Sequence, residues 1–125
     1  MAISVANECK AAALAGITAL LNSGQFRLLT SGDAELANLT FGATAFGTPT
    51  TASPSVATSN AITADSGVTA GTVAKFELRT SGGATRISGS VGVGTGDLQV
   101  SDVVIPGTAT SVSCPGGLTI SLQVS

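Results

Sequence analysis

Catalysis needs a base, a nucleophile or a ligand set at a workable spacing, and this sequence offers few. It contains no histidine, so neither a Ser-His-Asp nor a Cys-His arrangement can be built. Lys10 could assist a serine, but no serine–lysine motif surrounds it. Asp33 with Glu35, and Asp97 with Asp102, are the carboxylate pairs with a spacing suited to acid–base work. Both pairs flank expected turns, where acidic residues are ordinary. GVGTGD at 92–97 has the glycines of a phosphate loop but no Lys-Ser/Thr. It also precedes a strand pattern, whereas phosphate cradles open a helix. Asp97 and Asp102 fall short of a calcium loop, which needs several oxygen ligands close together. Cys9 and Cys114 stand at opposite ends of the chain and form no C-x-x-C motif. They are expected to stay reduced and to pack as small apolar residues. Asn38-Leu39-Thr40 matches a glycosylation sequon, which carries meaning only in a secreted chain. Together these residues argue for a protein that is not an enzyme and uses no cofactor or metal.

The elements that position them come from composition and periodicity. At 125 residues the chain is expected to be one domain, 1–125, with a core of its own. Hydrophobic residues make up 43% and charged residues only 10%, against roughly 25% charged in ordinary soluble domains. Net charge is −2, so nothing basic recommends nucleic acid. Between Glu35 and Lys75 the only charge is Asp65. Such a neutral Ala/Thr/Ser/Gly surface is poorly defended against association and suits a protein covered by neighbours. No run reaches the length of a membrane span. AAALAGITALL at 11–21 is read as a retained helix, because Glu8 lies upstream and no A-x-A site follows.

Residues 1–24 are the expected helical segment, capped by Ser4 and stopped at Asn22-Ser23-Gly24. Ala6, Cys9, Ala13, Ile17, Leu20 and Leu21 form its apolar stripe, broadened by Leu14. From Gln25 the period becomes two. Strands are expected at 25–30, within 34–42 and ending at Phe41, then at 55–63, 97–105, 108–113 and 118–124, with an uncharged loop at 42–55. KFELRTSGGATRISG at 75–89 sets Phe76 and Leu78 against Lys75, Glu77 and Arg79, then Ile87 and Val91 against Arg86. That is a β-hairpin over 74–91 with a core face and a charged face, its Gly82-Gly83 pair supplying positive φ angles. No internal repeat stands out. The fold class is mainly β: an antiparallel β-sandwich or jelly-roll-like domain over 25–125, with one N-terminal α-helix.

LTFG (39–42), AFG (45–47), GTVAKFELRTSGGATRISGSVG (71–92), GDLQVSD (96–102), PGTATSV (106–112) and LTISL (118–122) form a recurring order of strands and glycine turns. In this the chain resembles the short structural proteins encoded in tailed-phage and prophage virion gene clusters. Among them it is most similar to capsid decoration (cement) proteins, small β-rich domains that are often trimeric. The resemblance implies a protein made in the host cytoplasm and resident on the virion capsid surface. Its partners would be the major capsid protein and itself, as a homotrimer, with no nucleic acid and no membrane. Contacts are expected from the helix at 5–21 and the loop at 42–55, with Ile17, Leu21, Phe41 and Phe46 as interface candidates. A tail, adaptor or head-fibre protein and a host-surface binding module are the alternatives. A sugar-binding module needs exposed aromatics, and the chain has four Phe, no Trp and no Tyr.

Overall fold

Alternation of large apolar and polar residues decides most of the architecture. The structure, a computed structural model, describes residues 4–100, 102–108, 111–114 and 117–122. The chain runs α1 (Asn7–Ala19), β1 (Gln25–Leu29), β2 (Glu35–Phe41), β3 (Ser55–Thr58), β4 (Ile62–Thr63) and β5 (Gly71–Thr72). It continues through β6 (Lys75–Arg79), β7 (Thr85–Gly92), β8 (Leu98–Gln99), β9 (Val104–Ile105) and β10 (Thr119–Leu122). The result is mainly β, with one helix and a curled multi-strand sheet. That sheet has six strands in the order β4-β2-β1-β6-β7-β8, all antiparallel except the β7–β8 pair. Two separate ribbons, β10–β3 and β5–β9, complete the described strands.

β1 is central and its register explains both faces. Phe26 lies between Leu39 and Leu78, and Leu28 between Ala37 and Phe76. All six are buried in one cluster with Leu14 and Leu21 from the helical segment. The alternate residue Arg27 lies between Asn38 and Glu77, on the opposite face. The charges therefore occupy the outer side of the sheet and its inner side faces the common core, while α1 itself packs on β3 and β10.

The hairpin expected over 74–91 is β6 and β7, with Leu78 opposite Ile87 and Phe76 opposite Gly89. Phe76 and Leu78 are buried, whereas Ile87 and Val91 are only half-buried against the core. Beyond β7 lies only the two-residue β8, which gives those two side chains less cover. Of the glycine pair, Gly83 alone takes a positive φ, 86°.

The same turn occurs twice. Thr30-Ser31-Gly32-Asp33-Ala34 and Thr80-Ser81-Gly82-Gly83-Ala84 share their bonding pattern. In each the threonine N–H donates to the alanine carbonyl at 2.9 Å, and its Oγ1 accepts the alanine N–H at 3.1 or 3.2 Å. Asp33 holds the left-handed position of Gly83, at φ 68°. Both turns sit beside a register shift, at Leu28/Leu29 and at Leu78/Arg79. β1–β2 and β6–β7 are thus two copies of one bulged hairpin, a short repeat that composition alone did not expose.

Other expectations are corrected. The helix begins after Ala6, which caps it without a side-chain bond, and not at Ser4. Its buried stripe is Lys10, Leu14 and Thr18, while Cys9, Ala13 and Leu20 are exposed. Alanines gain little from burial, so Leu14 and Leu21, two turns apart, choose the face and rotate the helix away from the expected stripe. The strand expected at 55–63 is split between β3 and β4 in different sheets, and that at 97–105 between β8 and β9. Within 108–113 the described residues hold one bridge, Val112 to Asp65. The last expected strand is β10, its residues 123–124 lying outside the described set.

The helix stops as expected: Ser23 turns left-handed at φ 57° and donates to the Gly42 carbonyl at 2.8 Å. A Cβ on Gly24 would fall inside van der Waals contact of the Arg79 and Leu21 carbonyl oxygens. Gly24→Ala is therefore expected to cost about 2–3 kcal/mol, since backbone must shift to admit one methyl. Urea unfolding measures it, and a variant as stable as the parent would contradict the close approach.

Candidate functional site

The groups that could do chemistry are spent on structure. On the outer face Arg27 Nε donates to Glu35 Oε1 at 2.6 Å, and Arg27 Nη1 to Glu77 Oε1 at 2.7 Å. Lys75 reaches Asp33 at 2.8 Å, and Arg79 lies 3.6 Å from Glu77. Three basic and three acidic groups thereby neutralise one another across β2, β1 and β6. Arg27, with 16% of its side chain exposed, is the hub. The Asp33/Glu35 pair is thus divided between two cations.

The second pair is also occupied. Asp97 Oδ2 accepts the Ser90 N–H at 3.0 Å and the Ser90 hydroxyl at 3.1 Å. The backbone bond, then the hydroxyl bond, hold its carboxyl below the usual range. A depressed value means that the clip is made at neutral pH and released as pH falls through it. Asp102 Oδ1 accepts the Val104 N–H at 3.0 Å. Asp65 accepts from the Asn38 and Gly67 N–H groups, both at 2.8 Å. GVGTGD leads from β7 into β8, with no helix to follow. Among the described residues no three potential metal ligands cluster.

One pairing had no motif to announce it. Lys10 is 7% exposed, and its Nζ donates to Ser53 Oγ at 3.0 Å across 43 residues. The ammonium donates to the hydroxyl, so the bond ties α1 to the 42–54 arm. Cys9 and Cys114 are free thiols, Cys9 exposed on the helix and Cys114 half-buried. Cys9 is thus not the buried packing residue expected, because the helix turns that face outward. Reductant should leave the melting temperature unchanged, and a fall of many degrees would contradict free thiols.

The interface candidates are redistributed in the same way. Leu21 is 0%, Phe41 2% and Phe46 5% exposed, so all three fill the chain's own core. Phe41 shares the inward parity of Leu39, and its ring lies 5.6 Å from that of Phe46. Ile17 is half-buried. What the molecule presents on this side is Cys9, Ala12, Ala13, Gly16 and Ala19 of α1, with Glu8 exposed one turn before Ala12 and Leu20 at 50% exposure. α1 packs on β3 and β10, and the sequence has no charge at 36–64 or after Asp102. The candidate site is this side, nearly free of charge apart from Glu8, formed by the helix face, the arm and the β3–β10 ribbon. A cleft of about 770 Å³ also opens between the sheet and a group of residues that includes Leu98, Val104, Val112 and Leu118. Its floor residues Phe26, Leu28, Leu39 and Val73 are 9% exposed or less, so it is a rim over a sealed core.

Comparison of the chain with protein-family models, with curated proteins and with solved structures gave no match. No helix among the described residues is long and apolar enough to cross a membrane.

Proposed function

We propose that this chain is a structural protein of a tailed-phage virion, a decoration protein seated on the outer surface of the capsid shell. In this reading the six-stranded sheet and the two ribbons are the layers of a β-sandwich, and the side nearly free of charge meets the major capsid protein. The observation that carries it is the segregation of charge. Six charged side chains gather on the outer sheet face, while the helix, arm and ribbon on the inner side are almost free of charge.

Charges are costly to bury unless paired, so the inner side is the one that can be covered cheaply. Covering apolar surface contributes roughly 25 cal/mol per Å², and a shell repeats that contact over many sites. The gain would oppose expansion and rupture of the shell. All four phenylalanines are 9% exposed or less, which leaves a host-surface sugar binder without a stacking platform.

Quantitative mass spectrometry of purified particles tests the assignment. Copy numbers comparable to the shell protein are expected. A handful of copies per particle would overturn it in favour of a tail, adaptor or head-fibre protein.

A further inference from the structure

We infer that β10 is a docking edge for a second copy of this chain, two β10 strands pairing antiparallel about a twofold axis. Such a contact would fuse two β3–β10 ribbons into one four-stranded sheet. It rests on the topology of the ribbon and not on the virion reading.

β3 is occupied on both sides. β10 pairs along one edge. On the other the arm supplies bonds from Gly47 N–H to the Thr58 carbonyl at 2.8 Å and from Thr50 N–H to the Val56 carbonyl at 2.9 Å. β10 has no such second neighbour among the described residues. The free edges of β4, β5, β8 and β9 are two residues long, and the stretch of β7 that β8 leaves open before Val91 carries Arg86 and is clipped to Asp97 at Ser90, whereas β10 offers four uncharged residues. Edges of this kind are normally blunted by lysine, proline or a bulge. Thr119-Ile120-Ser121-Leu122 has none of these, and its register with β3 is unbroken.

The alternation of the strand selects its own copy as occupant. The Ser59 N–H donates to the Leu118 carbonyl at 2.7 Å, so residues 118, 120 and 122 turn their backbones toward β3. Thr119 and Ser121 therefore direct their N–H and C=O groups to the open edge. Opposed residues of an antiparallel pair share a face. A twofold axis at Ile120 sets Ile120 against its counterpart, Leu118 against Leu122, and Thr119 against Ser121. Aliphatic groups then meet on the inner face, where Ile120 and Leu122 are half-buried, and hydroxyls on the outer face. The two Thr119–Ser121 pairs would exchange four backbone hydrogen bonds. With no charge after Asp102, identical edges meet without repulsion. The contact is pairwise, so the threefold arrangement implied by the resemblance would need a different surface.

Light scattering and cysteine cross-linking test this on the full chain with Cys9 and Cys114 changed to serine. The parent is expected to show twice the protomer mass, and Ser121→Lys, at an exposed position, to halve it with the circular dichroism spectrum kept. Under oxidation a mixture of Thr119→Cys and Ser121→Cys chains is expected to form the mixed disulfide dimer, neither variant forming its own. A parent that is monomeric at high concentration would overturn the inference. So would an oligomer unchanged by Ser121→Lys, or a mixture without the mixed dimer. The cross-link also decides the matter if Ser121→Lys fails to fold.

Discussion

Phe26→Ala is expected to destabilise the domain by about 3–5 kcal/mol, the range for large aromatic truncations in a packed core. The ring is 4% exposed. It stacks on Phe41 at 6.3 Å and meets Phe76 edge-on at 6.4 Å. Leu39 and Leu78 oppose it on the two neighbouring strands. The ring joins both hairpins at one point, as Leu28 does between Ala37 and Phe76, so the cavity left behind would touch each of them. Denaturant unfolding measures the loss, with Thr40→Ala, an exposed position on β2, as a control within about 0.5 kcal/mol of the parent. A loss under about 1 kcal/mol for Phe26→Ala would contradict the assignment of β1 as the centre of the core.

Arg27→Met is expected to cost about 1–3 kcal/mol, because it keeps the stem and removes a short charged hydrogen bond from each of two carboxylates, leaving Glu77 with Arg79 at 3.6 Å and the Thr85 hydroxyl at 3.1 Å. Glu35 and Glu77 bond it at 2.6 and 2.7 Å, and Glu77 is only 22% exposed. Adding Glu77→Gln should recover part of the loss by removing one of the two charges. A full double-mutant cycle in thermal melts measures the coupling. Additive losses would mean that the outer-face network contributes nothing as a network.

The sheet was legible where alternation was strong. Phe26/Leu28, Leu39/Phe41 and Phe76/Leu78 have the right parity in the sequence, and the structure places them together. The helix face was not, because Cys9, Ala12 and Ala13 differ too little from their neighbours in the gain from burial to set a rotation. Phe41 at the end of its strand and Phe46 within the uncharged loop are interface candidates in the sequence and core residues in the structure. The parity of Phe41 with Leu39 was the signal pointing inward. Lys10 meeting Ser53 joins distant segments, and no local pattern encodes that. The paired TSG-x-A turns were visible in the letters, but five residues are too short a match to stand out. The short strands β4, β5, β8 and β9 exist through two-residue pairings, too short for an alternation to distinguish them from loops.

The most direct test of the docking side counts copies bound to capsid shells that lack the protein, after sedimentation. Arg86→Glu alters the charged β6–β7 hairpin at an exposed position in its bulge, and Leu20→Asp alters the side nearly free of charge, where Leu20 is 50% exposed. Phe46 is unsuitable as a probe, since at 5% exposure its replacement would report on folding. The account predicts that Arg86→Glu binds as many copies as the parent and that Leu20→Asp, folded to the same melting temperature, binds few. Full binding by Leu20→Asp with loss by Arg86→Glu would contradict the assignment of the docking side, and no binding by the parent would contradict the decoration reading itself.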